Sequence, residues 1–222
     1  KYSQGFRHNY GAQCLVLDVD MSGLPCGPKA AFATKGYFAN QRNRRGRQLG
    51  RVLAAGYDEV VVDRLFDGKT QLNKALLPLM EAAERTLELD AAKRARTIIR
   101  LDAGGGSLAD VNWLLQRGYQ FHGKDYSGQR AKLLAQSVTC WVDDPHRPER
   151  QIGWVTAPAL DYVRPVVRLA VRSRQKNGQW AVDVLLSTLS AAEVLHLTGQ
   201  PLPLASDPLA VMLAYLTFYD QR

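Results

Sequence analysis

The sequence predicts an α/β fold in which a mixed sheet is covered by helices. Three observations carry this: the order strand, strand, strand, helix, strand, helix, strand between residues 13 and 123; two apolar runs that each end in aspartate; and an apolar repeat at helical spacing between them. With 222 residues, 46% hydrophobic and 23% charged, the chain is long enough for one sizeable core plus an insertion.

Residues 13 to 20 read as a buried strand, because Leu15, Val16, Leu17 and Val19 form a nearly continuous apolar run that Gly23, Pro25, Gly27 and Pro28 then break. A loop of small residues follows, then a glycine-punctuated turn crowded with Arg42, Arg44, Arg45, Arg47 and Arg51. Val52 to Ala55 and Glu59 to Phe66 read as two antiparallel strands that complete a meander. Leu72, Leu76, Leu79, Met80, Ala83 and Leu87 recur on one side of a helix, with Pro78 expected to kink or break its first turns. Thr97 to Asp102 is the second acid-tipped strand. Ser107 suits the N-cap of a helix bearing Leu108, Val111, Leu114 and Leu115, Gly118 closes it, and Tyr119 to Gly123 is a further strand.

From residue 127 to 189 the pattern changes to short β-type runs, Val138 to Val142, Ile152 to Thr156, Val163 to Arg174 and Trp180 to Ser187, read as a β-rich insertion between residues 1–126 and 190–222 of the core. Lys176-Asn177-Gly178 signals a hairpin with a type I′ turn. In the strand before it, Arg164, Arg168, Arg172, Arg174 and Lys176 are expected on one face at period two, backed by Val163, Val167, Leu169 and Val171. Ser190 is expected to cap a helix over Ala191 to Leu197, and Ser206-Asp207-Pro208 to open a last helix that runs through Arg222.

Lysine and arginine number 29 against 21 aspartates and glutamates, a formal net charge of +8, which points to a polyanionic partner. Cys14, Cys26 and Cys140 show no paired spacing and no histidine at zinc-ligand distance, so the cysteines read as reduced and a structural zinc is not expected. His8, His122, His146 and His196 are scattered and read as ordinary core or surface residues. No apolar run approaches a membrane span and the N-terminus has no signal-peptide core, so a cytoplasmic protein is expected. The chain starts without Met and ends in mid-pattern, which reads as a piece of a longer protein.

Aspartate adds nothing to strand stability and is costly to bury unpaired, so acids at the tips of buried strands point to a metal or a reaction centre. Asp18 and Asp20 lie two apart and leave the same face of their strand; Asp102 comes close if the two strands are neighbours. Converging carboxylates repel unless a divalent cation neutralises them. Mg²⁺ suits such hard oxygen ligands and leaves room for phosphate oxygens.

Asp18-x-Asp20-x-Ser22 resembles the first motif of haloacid-dehalogenase-type phosphatases, and Leu101-Asp102-Ala103-Gly104-Gly105-Gly106 resembles the glycine-rich motif of adenosylmethionine-dependent methyltransferases. A third resemblance covers residues 13 to 222. The stretch Arg100-Leu101-Asp102-Ala103-Gly104-Gly105-Gly106-Ser107, running on to Gly118-Tyr119, resembles the second-acid region of DDE-type insertion-sequence transposases, and Tyr219-Asp220-Gln221-Arg222 matches the start of their signature Tyr-x2-Arg-x3-Glu-x6-Lys. The resemblance implies a ribonuclease-H-like catalytic core with a β-rich insertion. It implies DNA cleavage and strand transfer at transposon ends with two Mg²⁺ or Mn²⁺ ions, held by Asp20, with Asp18 as the alternative first acid, by Asp102, and by a glutamate four positions beyond Arg222. The piece without that glutamate is expected to be inactive. DNA phosphate contacts are expected at Arg42, Arg44, Arg45 and Arg47, at Arg164, Arg168 and Arg172, and, by resemblance, at Tyr219 and Arg222. Transposon-end and target DNA are the implied partners, with a homodimer in the DNA complex and a place at the nucleoid. A phosphatase using Asp18 and Asp20, or a decayed DNA-binding relative without chemistry, are the alternatives.

Overall fold

The computed structural model describes residues 14–38, 41–102, 105, 107–159 and 161–222. The chain divides into two compact units, Lys1–Gly105 with Arg117–Tyr119, and Gly106–Gln116 with Gln120–Arg222.

The first unit holds strands β1 (Leu15–Pro25), β2 (Thr34–Phe38), β3 (Gln41–Ala54), β4 (Glu59–Asp67) and β5 (Thr97–Leu101), with helices α1 (Leu72–Leu87) and α2 (Ala91–Ala95). β3 runs antiparallel to both β1 and β4, whereas β5 is parallel to β1. The resulting order β4–β3–β1–β5 is a meander whose first strand takes a parallel partner after a helical crossover, the arrangement of a ribonuclease-H-like mixed sheet. One face is apolar. Leu17 and Val19 lie in register with Ala54 and Val52 on one side and Ile99 and Leu101 on the other, all fully buried. The stripe Leu72, Ala75, Leu76, Leu79, Met80 and Ala83 of α1 is buried as well, and α1 packs on β1, β3 and β4. This burial keeps α1 continuous through Pro78, where a break was expected.

The Arg42–Arg51 segment is a strand and not a turn. β1 continues to Pro25, β3 starts at Gln41, and β2 pairs with the first half of β3 on the side where β4 pairs with the second. The glycines that suggested a turn serve a different purpose. A Cβ at Gly23, Gly36, Gly46 or Gly68 would come within 2.9, 2.8, 2.7 and 2.9 Å of the Phe38 ring, so the four together form the socket for a buried aromatic side chain.

Residues 117–119 belong to this unit through Glu84 on α1. The Arg117 guanidinium grips the Glu84 carboxylate with two donors, Tyr119 Oη donates to Glu84 Oε1 at 2.8 Å, and Arg94 Nε donates to the Arg117 carbonyl at 3.0 Å.

The second unit holds α3 (Leu108–Gln116), β6 (Gln120–Lys124), α4 (Gly128–Ala135), β7 (Val142–Asp143), β8 (Arg150–Trp154), β9 (Val167–Arg174), β10 (Trp180–Ser187), α5 (Ala191–Leu197) and α6 (Pro208–Asp220). Its strands run antiparallel in the order β6–β10–β9–β8–β7. The β-rich segment is therefore hydrogen-bonded directly onto β6. Ser107 caps α3, its Oγ accepting from the Asp110 amide at 3.2 Å, and Ser190 with Glu193 forms a capping box on α5.

Three expectations change here. Residues 128–135 form α4, capped by the Ser127 side chain, where β structure was expected. The strand expected from Val163 starts at Val167, because Pro165 cannot join the ladder; Val163 and Val167 are exposed. At the β9–β10 hairpin, Gly178 takes φ +79° while Asn177 is not in the positive region, and Gln175 and Gln179 close a three-residue loop. The turn is thus the longer kind with a left-handed glycine, and not type I′.

Candidate functional site

The face of the first unit's sheet opposite α1 carries the acids. Directly paired residues leave the same face of a sheet. On this face Asp18 lies opposite Arg100 on β5 and Leu53 on β3, and Asp20 lies opposite Arg51 on β3. One step beyond the last β1–β5 pair, Val19 with Leu101, the two parallel strands reach Asp20 and Asp102. Neighbouring strands run about 4.8 Å apart, and Asp102 lies one residue past the end of β5.

Asp18 does something else. Arg100 Nε and Nη2 donate to its two carboxylate oxygens at 2.6 and 2.7 Å, and the two residues are 7% and 2% exposed. Its carboxylate is committed to a buried, forked ion pair one pleat below Asp20. Of the two acids expected on β1, Asp20 is the one exposed, with Oδ1 accepting from the Met21 amide at 2.7 Å. Asp102 is half-buried. Of the glycine run that follows, Gly105 alone is described, its amide donating to the Asp102 carbonyl at 3.3 Å.

As a donor set, Asp20 and Asp102 offer hard carboxylate oxygens of the type a divalent cation takes alongside water and phosphate oxygens. Among the described residues no group of three or more His, Cys, Asp or Glu is close enough to hold a metal. Sequence reasoning gave Arg100 no role beside Asp18. The signal was there: in parallel register, Asp-x-Asp and Arg-x-Asp set Asp18 against Arg100.

On β3, Arg42, Arg44 and Arg45 are exposed and Arg47 is half-buried. Arg44 Nη1 donates to Gln41 Oε1 at 3.4 Å and Arg45 Nη1 to the Ala33 carbonyl at 3.3 Å. Arg51 forms a forked pair with Asp63, both bonds 2.8 Å, and its guanidinium holds the Asp63 carboxyl below the ordinary aspartate value.

In the second unit the expected basic face is partly turned inward. Arg168 is 5% exposed and donates to the Ala157 carbonyl, so the alternation buries it where a solvent-facing residue was expected. Arg172 lies 4.1 Å from the Trp141 ring centre and 4.7 Å from that of Trp180, and donates to Gln151 Oε1 at 2.8 Å. Arg164 precedes the strand and donates to Gln120 Oε1 at 3.3 Å. At the end of α6, Arg222 lies 5.3 Å and Lys124 5.4 Å from the Tyr219 ring centre.

No family model matches the chain, and no curated protein does. Among solved structures it is similar to a piggyBac transposase in a synaptic complex with hairpin DNA, at 12% identity and a TM-score of 0.44, over 92% of this chain and 47% of that one. The chain thus spans about half the length of that protein.

Proposed function

We propose that this chain is the catalytic core of a DDE-type transposase, in which Asp20 and Asp102 supply two of the carboxylates that hold divalent cations for DNA strand cleavage and transfer. The observation that supports the reading is the parallel register of β1 and β5, whose last pair, Val19 with Leu101, immediately precedes the exposed Asp20 and the half-buried Asp102. When bound, Mg²⁺ at such a site supplies Lewis-acid polarisation of a phosphodiester and a lowered pKa for the attacking water or 3′-hydroxyl. The chain's own residues do the rest. Asp20 and Asp102 present oxygen ligands, the Asp18–Arg100 pair fixes the two strands beneath them, and Arg51, in register with Asp20, places a cation beside the site. The phosphatase alternative assigns the nucleophile to Asp18, whose carboxylate is buried in its ion pair with Arg100.

The test is cleavage and strand transfer of terminal-repeat DNA by the protein, together with Mn²⁺ binding measured on the same samples. Asp20→Asn and Asp102→Asn should each lower the cleavage rate about a thousandfold, the scale of several kcal/mol of lost charge stabilisation, and weaken Mn²⁺ binding. Full cleavage by both variants would overturn the assignment.

A further inference from the structure

The arginines of β3 do not form one undifferentiated patch. From Gly46 to Ala54 the β1–β3 register is unbroken, and from Arg44 to Gly46 the β2–β3 register is too. Strand alternation therefore assigns each side chain to a face. Arg51 pairs with Asp20, Arg47 with Leu24 on β1 and Asp67 on β4, and Arg45 with Lys35 on β2. All four cations lie on the face that carries Asp20 and Asp102. Arg44, opposite Gly36, leaves the other face, the one on which Phe38 sits over Gly36 and Gly46.

We propose that Arg51, Arg47, Arg45 and Lys35 form a phosphate track that leads a nucleic-acid backbone away from the Asp20–Asp102 site along β3, and that Arg44 has no part in it. This rests on the proposed function to the extent that the two acids mark where the reacting phosphate lies. Three features support a ligand over a merely solvated face. Lys35 and Arg45, both exposed, are direct cross-strand neighbours of like charge, an arrangement that disfavours the ribbon until a polyanion neutralises it. The cations recede from the acids in one direction, and while Asp63 holds Arg51 in a forked pair and Asp67 lies opposite Arg47, Arg45 and Lys35 face no acid in the ladder. The six-residue step from Arg51 to Arg45 covers about 20 Å of strand, the axial rise of about six nucleotides on one DNA strand.

The experiment measures binding of a short fluorescent duplex of arbitrary sequence as a function of salt, for the unaltered chain and for Arg45→Ala/Arg47→Ala, Arg45→Lys/Arg47→Lys and Arg44→Ala. Each phosphate contact contributes about 0.9 to the slope of log K against log salt. The alanine pair should lower that slope by about 1.8, so that affinity falls roughly tenfold less between 50 and 200 mM salt. The lysine pair and Arg44→Ala should keep the original slope. An unchanged slope in the alanine pair, or an equal loss with Arg44→Ala, overturns the track. The two readings fail separately. Cleavage lost in Asp20→Asn and Asp102→Asn with an unchanged slope in the alanine pair removes the track and leaves the catalytic assignment; a reduced slope with cleavage unaffected by the acid variants does the reverse.

Discussion

Removing the Asp18 carboxylate should be among the most damaging single changes in the first unit. Arg100 is 2% exposed, and Asp18→Ala leaves its guanidinium in the interior without the two acceptors now at 2.6 and 2.7 Å. Breaking one side of a buried, forked pair costs about 3–5 kcal/mol, because the remaining charge stays desolvated. That is a large share of the roughly 5–15 kcal/mol by which a folded chain is stable, and for a protein of this length it lowers Tm by about 6–20 °C. Replacing both partners by apolar side chains removes the stranded charge, so Asp18→Leu combined with Arg100→Met should be within about 1 kcal/mol of the unaltered protein. Urea unfolding of Asp18→Leu, Arg100→Met and the double closes the cycle. The coupling should be strongly favourable, the double being far less damaging than the sum of the singles. An Asp18→Ala cost below about 1 kcal/mol, or a double variant as unstable as the sum, would refute the claim that this pair is a buried electrostatic unit.

Two further outcomes follow from the same unit. Phe38→Ala empties the four-glycine socket and should cost about 3–5 kcal/mol in urea unfolding, with the β2–β3 pairing lost first in hydrogen exchange. For Glu84, burial alone would raise the carboxyl, but the hydrogen bonds from Arg117 and Tyr119 outweigh it and hold the group below its ordinary 4.5. A depressed native value means that the stabilisation is complete above the ordinary value and is lost as pH falls through the native one. Thermal melts from pH 6 downward should therefore show Glu84→Gln to be less stable at pH 6 and less sensitive to acid; parallel curves for the two proteins would contradict this.

The two strands and α1 were legible because each buries an apolar set: Leu15, Leu17 and Val19, then Ile98, Ile99 and Leu101, and the stripe from Leu72 to Ala83. The β2–β3 ribbon was not, since its stability comes from a single buried phenyl ring resting on glycines, and glycine with arginine reads locally as a turn. Helix α4 buries only Ala131 and leaves Leu133 exposed, so it carries little of the periodicity by which helices are found. Arg168 shows a different limit. Alternation separates two faces, but it does not say which of them meets solvent, and in β9 a charged side chain was turned to the inside.

The candidate site shows the same limit from the other direction. Asp18 and Asp20 were both candidates because period two places them on one face, and it does. What separates them is the partner strand. Parallel pairing advances residue by residue, so the cation two positions before Asp102 must fall beside the acid two positions before Asp20. Once Asp18 is matched to Arg100 it becomes the anchor of the ladder, and the buried ion pair fixes the register of β1 against β5. An Arg-x-Asp strand parallel to an Asp-x-Asp strand is thus more informative than either motif alone, because the register sets Arg100 against Asp18 and the forked pair between them locks the sheet.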